Sequence, residues 1–230
     1  MREILINSAF FGVFLCLISF QAGIYLKKRF KLAIFNPLLV GTILTVLTLV
    51  IVDIPYDKFN ASAAHVSFFL TPITVCLAVP LYEQLSLLRK NFVAIFAGLF
   101  AGVLAGTCSI YALALIFGID HALYVTLLPK SVTAPIGMGI SESLGGIVNL
   151  TMACIIATGI LGNIFGEAIL RLFRIKKSVA KGIALGCASH AMGTAKALEI
   201  GDIEGAMASL AMAVTGLFTV VGASIFANFI

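Results

Sequence analysis

The chain has 230 residues, of which 61% are hydrophobic and 11% charged, with a mean hydropathy of +1.14 and a formal net charge of +5. Soluble domains are about half apolar and about a quarter charged, so this composition excludes a water-soluble globular protein and points to a bilayer. The basic residues fall in a few short loops, which is the signature of membrane topology. No nucleic-acid partner is expected.

A membrane-crossing helix needs about 20 apolar residues. Clear hydrophobic segments run over 4–26, 32–52, 63–82, 92–117, 147–170 and 203–228. The first is too long for a secretory signal peptide and runs straight into Lys27, Lys28, Arg29 and Lys31, so it is expected to stay as an anchor. The third is interrupted by Thr71-Pro72-Ile73-Thr74 and ends in Pro80-Leu81-Tyr82-Glu83-Gln84. In the fourth, Gly98, Gly102 and Gly106 recur every four residues, which puts them on one face and predicts close helix packing there. Five cysteines lie singly in apolar stretches without a CxxC spacing, so they are expected to act as small hydrophobes, with no metal site.

Two further stretches, 122–145 and 182–200, are apolar but broken by Gly, Pro, Ser and Thr. Charge parity gives the first its geometry. Basic loops at 27–31, at Arg89 and Lys90, and at Arg171, Arg174, Lys176, Lys177 and Lys181 should all face the cytoplasm. Three full crossings between the second and third loops would leave the third outside. One segment must therefore enter and leave on the same side, and 122–145, with Pro129, Pro135, Gly137, Gly139, Gly145 and Gly146, is the one least suited to a continuous helix. Irregular backbone is tolerated at membrane depth only inside protein or beside a watery cavity.

Sliding the chain on itself without gaps brings Gly137 onto Gly193, Gly145 onto Gly201, Ile147 onto Ile203, Ala157 onto Ala213, Leu161 onto Leu217 and Gly166 onto Gly222. Each copy is a broken segment followed by one long helix. The predicted fold is therefore all-α: a single polytopic membrane domain over 1–230 with two re-entrant or discontinuous segments. Residues 122–170 and 182–228 form a candidate inverted repeat, an organisation that places substrate sites where the broken segments meet.

Chemistry concentrates in those breaks. Within Leu128-Pro129-Lys130-Ser131-Val132-Thr133, Pro129 ends the incoming helix, and Ser131 or Thr133 can cap the next. A helix beginning inside the membrane offers free N–H groups and the positive end of its dipole; Lys130 adds a full charge, and together they suit a small carboxylate. Snorkelling of Lys130 to an interface is the competing reading. In the partner run, Ser189, His190, Gly193 and Thr194 stand at the equivalent break. His190 suits either substrate or a coupling proton, or else a satisfied core donor. Lys196 and Glu199 are spaced to pair on one helix face. Glu142 and Glu167 are intramembrane carboxylates unless they reach an interface, and Glu83 reads as solvated. No Walker loop, GxSxG, HExxH or paired-carboxylate pattern is present, so an enzyme is not expected.

Asn36-Pro37-Leu38-Leu39-Val40, Pro80-Leu81-Tyr82-Glu83-Gln84, Leu128-Pro129-Lys130-Ser131-Val132-Thr133 and Ala188-Ser189-His190-Ala191-Met192-Gly193-Thr194-Ala195 resemble the CidB/LrgB family, in order and across nearly the whole chain. The resemblance implies a bacterial inner-membrane protein, often made beside a small holin-like membrane partner of the CidA/LrgA type. Two functions attach to the family: holin/antiholin-like control of murein hydrolase export and cell lysis, and transport of small carboxylates such as glycolate, glycerate or pyruvate. The residue pattern favours the transporter, with Lys130, Ser131, Thr133, Ser189, His190, Gly193 and Thr194 as substrate-binding residues. No cofactor is expected beyond a coupling H+ or Na+, and a homo-oligomer is left open.

Overall fold

The computed structural model describes residues 8–30, 35–69, 72, 75–76 and 78–230. All regular structure among them is helical. Residues 4–7 of the first predicted segment, Lys31 of the first basic loop, and Thr71, Ile73 and Thr74 lie outside the described residues. The chain forms two compact units, one ending at Cys76 and one running from Leu77 to Ile230.

In the first unit, α1 (Phe11–Phe30) packs against α2 (Pro37–Ile51) and α3 (Tyr56–Ser67). Asn36 caps α2 with its side-chain oxygen, which accepts from the amides of Leu38 and Leu39 at 2.8 and 3.3 Å, and Pro37 stands at the first helical position. Small residues let the backbones approach. A side chain at Gly23 would meet the backbone of Pro37, and the Gly12 amide donates to Ser62 Oγ at 2.9 Å. The predicted segment 63–82 begins inside α3, which starts at Tyr56 and is too short to cross a membrane.

The second unit holds α4 (Ala78–Glu83), α5 (Leu85–Lys90), α6 (Phe92–Phe117), α7 (His121–Leu127), α8 (Ala134–Ser143), α9 (Val148–Leu172), α10 (Ser178–Ile200) and α11 (Asp202–Phe226). Among the described residues, four helices are long and apolar enough to cross a bilayer: α1, α6, α9 and α11, the last extended to Phe229 by a short 3-10 turn. Their outward faces carry large apolar side chains such as Phe117, Leu161, Phe165, Leu217 and Val221, while Thr126, Ser141, Thr151, Ser189, His190 and Thr194 are buried inside. Polar groups inside and apolar groups outside is the arrangement that a lipid surround favours.

Both predicted breaks are present, and at each the chain turns back on itself. In the first, α7 and α8 are joined by a turn over 128–133. The Thr151 hydroxyl on α9 is hydrogen-bonded to the Thr126 carbonyl at 3.0 Å and to the Ser141 hydroxyl at 2.7 Å, so the two legs lie side by side below the turn. The Ile147 amide donates to Thr126 Oγ1 at 2.8 Å and closes the base.

The second break lies within α10, whose backbone leaves helical geometry at Ser189 (φ −134°, ψ 18°) and His190 (φ 43°, ψ −133°). In a straight helix Leu185 and Gly193 would stand about 12 Å apart along the axis. Instead, a Cβ on Gly193 would collide with the Leu185 carbonyl. The two legs of α10 therefore run back beside each other, each about 15 Å long, or about half the apolar thickness of a bilayer. In the sequence register that matches Gly137 to Gly193, Ala134–Ser143 falls on 190–199 and Val148–Leu172 on 204–228, within two residues of the second leg of α10 and of α11.

Candidate functional site

The turns of the two folded-back segments border one cavity of about 480 Å³. Its walls come from four places. The first turn gives Leu128, Lys130 and Ser131; the first leg of α10 gives residues up to Cys187 and Ala188; α11 gives Thr215 and Thr219; and α6 gives its glycine face with Thr107. The glycines expected to make a close helix contact do so only in part. A Cβ on Gly102 would lie 2.6 Å from Cys187 Sγ, but one on Gly98 would find nothing nearer than 3.9 Å and one on Gly106 nothing within 4 Å. Most of the stripe is cavity wall.

Among the described residues, Lys130 is the one charged residue lining this space. Its ammonium donates to Ser131 Oγ at 3.0 Å and has no carboxylate within ion-pair distance among the described residues. A partly buried ammonium without a counter-charge is costly in an apolar surround, so the site is electrostatically incomplete in the direction of an anion. Thr133 occupies the N-cap position of α8 as expected, but its hydroxyl makes no capping bond, leaving the first-turn N–H groups of that helix unserved by it.

Ser189 and His190 instead face α9. Ser189 sits in a notch at Gly162, where an added Cβ would overlap its hydroxyl. The His190 Nε2 lies 3.1 Å from the Ile155 carbonyl, which fixes that nitrogen as the donor, and the ring covers Gly159. The Thr194 hydroxyl donates to the His190 carbonyl at 3.0 Å, Asn163 Nδ2 to the Met192 carbonyl at 2.9 Å, and Gly193 lies against the first leg. Of the seven predicted residues, Lys130 and Ser131 line the cavity, while Thr133, Ser189, His190, Gly193 and Thr194 are not among its lining residues. The last four instead hold the reversal in α10. Replacing His190 with alanine is therefore expected to destabilise the protein by about 1–3 kcal/mol, through the orphaned Ile155 carbonyl and the emptied ring volume. Anion binding at Lys130 should be retained in the surviving folded fraction; thermal unfolding in detergent with a parallel binding titration checks both.

Sequence reasoning missed Thr107, Cys187, Thr215 and Thr219. The available signal was Thr215 and Thr219 spaced by four within an otherwise apolar span, which puts both hydroxyls on one face. Elsewhere a small cluster of charges is paired. Arg171 pairs with Glu167 at 2.6 Å, and Lys196 bridges Glu167 at 3.3 Å and Glu199 at 3.1 Å, as its spacing predicted. Glu142 and Glu83 are exposed.

The LrgB-like family matches residues 16–229. The chain belongs to the LrgB-like family. Among its relatives are the "Antiholin-like protein LrgB" of Bacillus mycoides (strain KBAB4) and those of Bacillus cereus (strain B4264) and Bacillus anthracis (strain CDC 684 / NRRL 3495). Each is 36% identical over 222 residues, covering 96% of this chain and 96% of the relative. The family membership that the four motifs implied is thus confirmed over nearly the whole given sequence, and it spans both units. No solved structure matches this LrgB-like protein.

Proposed function

We propose that this LrgB-like protein is an antiholin-like regulator in the bacterial plasma membrane, acting with a small holin-like membrane partner to set murein hydrolase export and the onset of lysis. Its support is the full-length similarity to relatives named antiholin-like. That similarity ranks this reading above the transporter favoured by the residue pattern, since the relatives named above are called antiholin-like. Producing the chain together with a CidA/LrgA-type partner in a lysis-prone bacterium tests it. Delayed lysis that depends on the partner is expected, and lysis timing indifferent to the chain would overturn it.

A second reading has its own observation, the ammonium of Lys130, without a carboxylate partner among the described residues, in a cavity bordered by both reversals. A small carboxylate fits that charge, and two half-membrane segments of opposed orientation suit alternating access to it. Here the turns at 128–133 and 189–190 are re-entrant from opposite faces, and 122–170 and 182–228 are inverted repeat units. Uptake of C2–C4 monocarboxylates by vesicles holding this chain alone tests it; vesicles leaky to unrelated solutes, or tight to carboxylates, would sink it. The two readings are compatible where lysis control works through the solute balance of the membrane.

A further inference from the structure

Hydroxyls buried in helices usually serve themselves by donating to the carbonyl one turn back. Thr107 donates to the Val103 carbonyl at 3.0 Å, Thr126 to Ala122 at 2.6 Å, Thr194 to His190 at 3.0 Å and Ser209 to Gly205 at 3.0 Å. Thr215, on the cavity wall and 2% exposed, departs from this pattern: its Oγ1 is buried and has no hydrogen-bond partner. The Cys187 thiol lies close to it, and to the Lys130 ammonium, but outside hydrogen-bonding geometry with the threonine. A buried polar atom left unmade costs free energy comparable to a lost hydrogen bond, so a group that fills the cavity gains by pairing with it.

In the repeat register this hydroxyl stands where the other copy is tightly covered. Thr215 on α11 corresponds to Gly159 on α9. Gly159 is covered by the His190 ring, whose counterpart in the first broken segment is Ala134, a single methyl. Gly159 thus lies under an aromatic ring, whereas Thr215 lies on the wall of a cavity.

We propose that Thr215 is a specificity-determining residue. Its hydroxyl pairs with a second polar group on a small organic anion whose charged end sits at Lys130 and Ser131. This rests on the reading of the cavity as an anion site. Lactate and propionate differ by one hydroxyl and serve as probes.

The test uses the full chain with Cys16, Cys76, Cys108 and Cys154 replaced by serine, so that the cavity thiol Cys187 alone reports. The rate of its modification by neutral methyl methanethiosulfonate is followed by mass spectrometry against each acid. Lactate is expected to protect at about fivefold lower concentration than propionate, the worth of one hydrogen bond. In Thr215→Val the ratio should fall to about one with propionate protection unchanged, and in Thr215→Ser it should persist. Equal protection by the two acids in the parent, or an unchanged ratio in Thr215→Val, overturns the role of Thr215 while leaving the anion site standing. Protection by neither acid overturns the anion site, and this inference with it.

Discussion

Replacing Lys130 with alanine is expected to lower the uptake of small monocarboxylates into vesicles at least about tenfold, while leaving the folded protein as stable as before or more so. The two halves of this expectation have one cause. The ammonium lines the cavity with Ser131 Oγ as its hydrogen-bond partner and without a carboxylate among the described residues. A charge-assisted hydrogen bond to a ligand contributes about 1.5–3 kcal/mol, and about 1.4 kcal/mol is a factor of ten in binding. The same charge, uncompensated in the empty protein, carries a desolvation cost that alanine removes. A purely structural lysine would behave in the opposite way, with stability falling and residual uptake tracking the folded fraction. Lys130→Arg keeps the charge but replaces a point donor by a planar fork. It should retain binding with altered preference among carboxylates. The checks are initial uptake rates at matched protein density and thermal unfolding of the same preparations. Full uptake by Lys130→Ala would remove the cavity from any transport reading and leave the antiholin-like proposal untouched.

How much of this was legible in the sequence differs between the two reversals. The first announces itself. Pro129 and Pro135 cannot both sit inside one helix, and three basic loops required a segment that returns to its own side. The second has no proline. Its reversal depends on His190 adopting φ 43°, a conformation that local sequence does not favour for an L residue. What stabilises it is tertiary: Gly193 against the Leu185 carbonyl, Ser189 in the Gly162 notch, and the Ile155 carbonyl accepting from the imidazole. The run of Gly, Ser and Thr there marked a break but not the direction in which its side chains point. Lys130 and Ser131 line the cavity, whereas Ser189, His190, Gly193 and Thr194 do not and instead pack around the second reversal. Thr215 gave little local warning because α11 is continuous, and its hydroxyl lacks a hydrogen-bond partner only once the chain is packed.

The largest effect on folding is expected from a single methyl group. Along the α10–α11 contact, a Cβ on Gly186 would stand 2.7 Å from Ala208 Cα and 2.9 Å from its carbonyl carbon. Both are backbone atoms, so no rotamer change can make room and the helices must separate. In an exposed helix Gly→Ala gains about 1 kcal/mol from propensity alone. Here overpacking of about 1–3 kcal/mol or more opposes that gain, and the displaced helix carries both Cys187 and the Ser189–His190 reversal. Gly186→Ala should therefore lose much of its folded, monodisperse fraction in detergent. Gly106→Ala, on the open stretch of the α6 stripe with nothing within 4 Å, supplies the comparison. It should fold at least as well as the parent, because propensity acts unopposed, and any loss it shows should be in ligand binding, since its methyl projects into the cavity. Size-exclusion profiles and unfolding midpoints of the two variants decide the matter. A stable Gly186→Ala would mean that α10 and α11 do not approach this closely, and the geometry of the second reversal would fall with that contact.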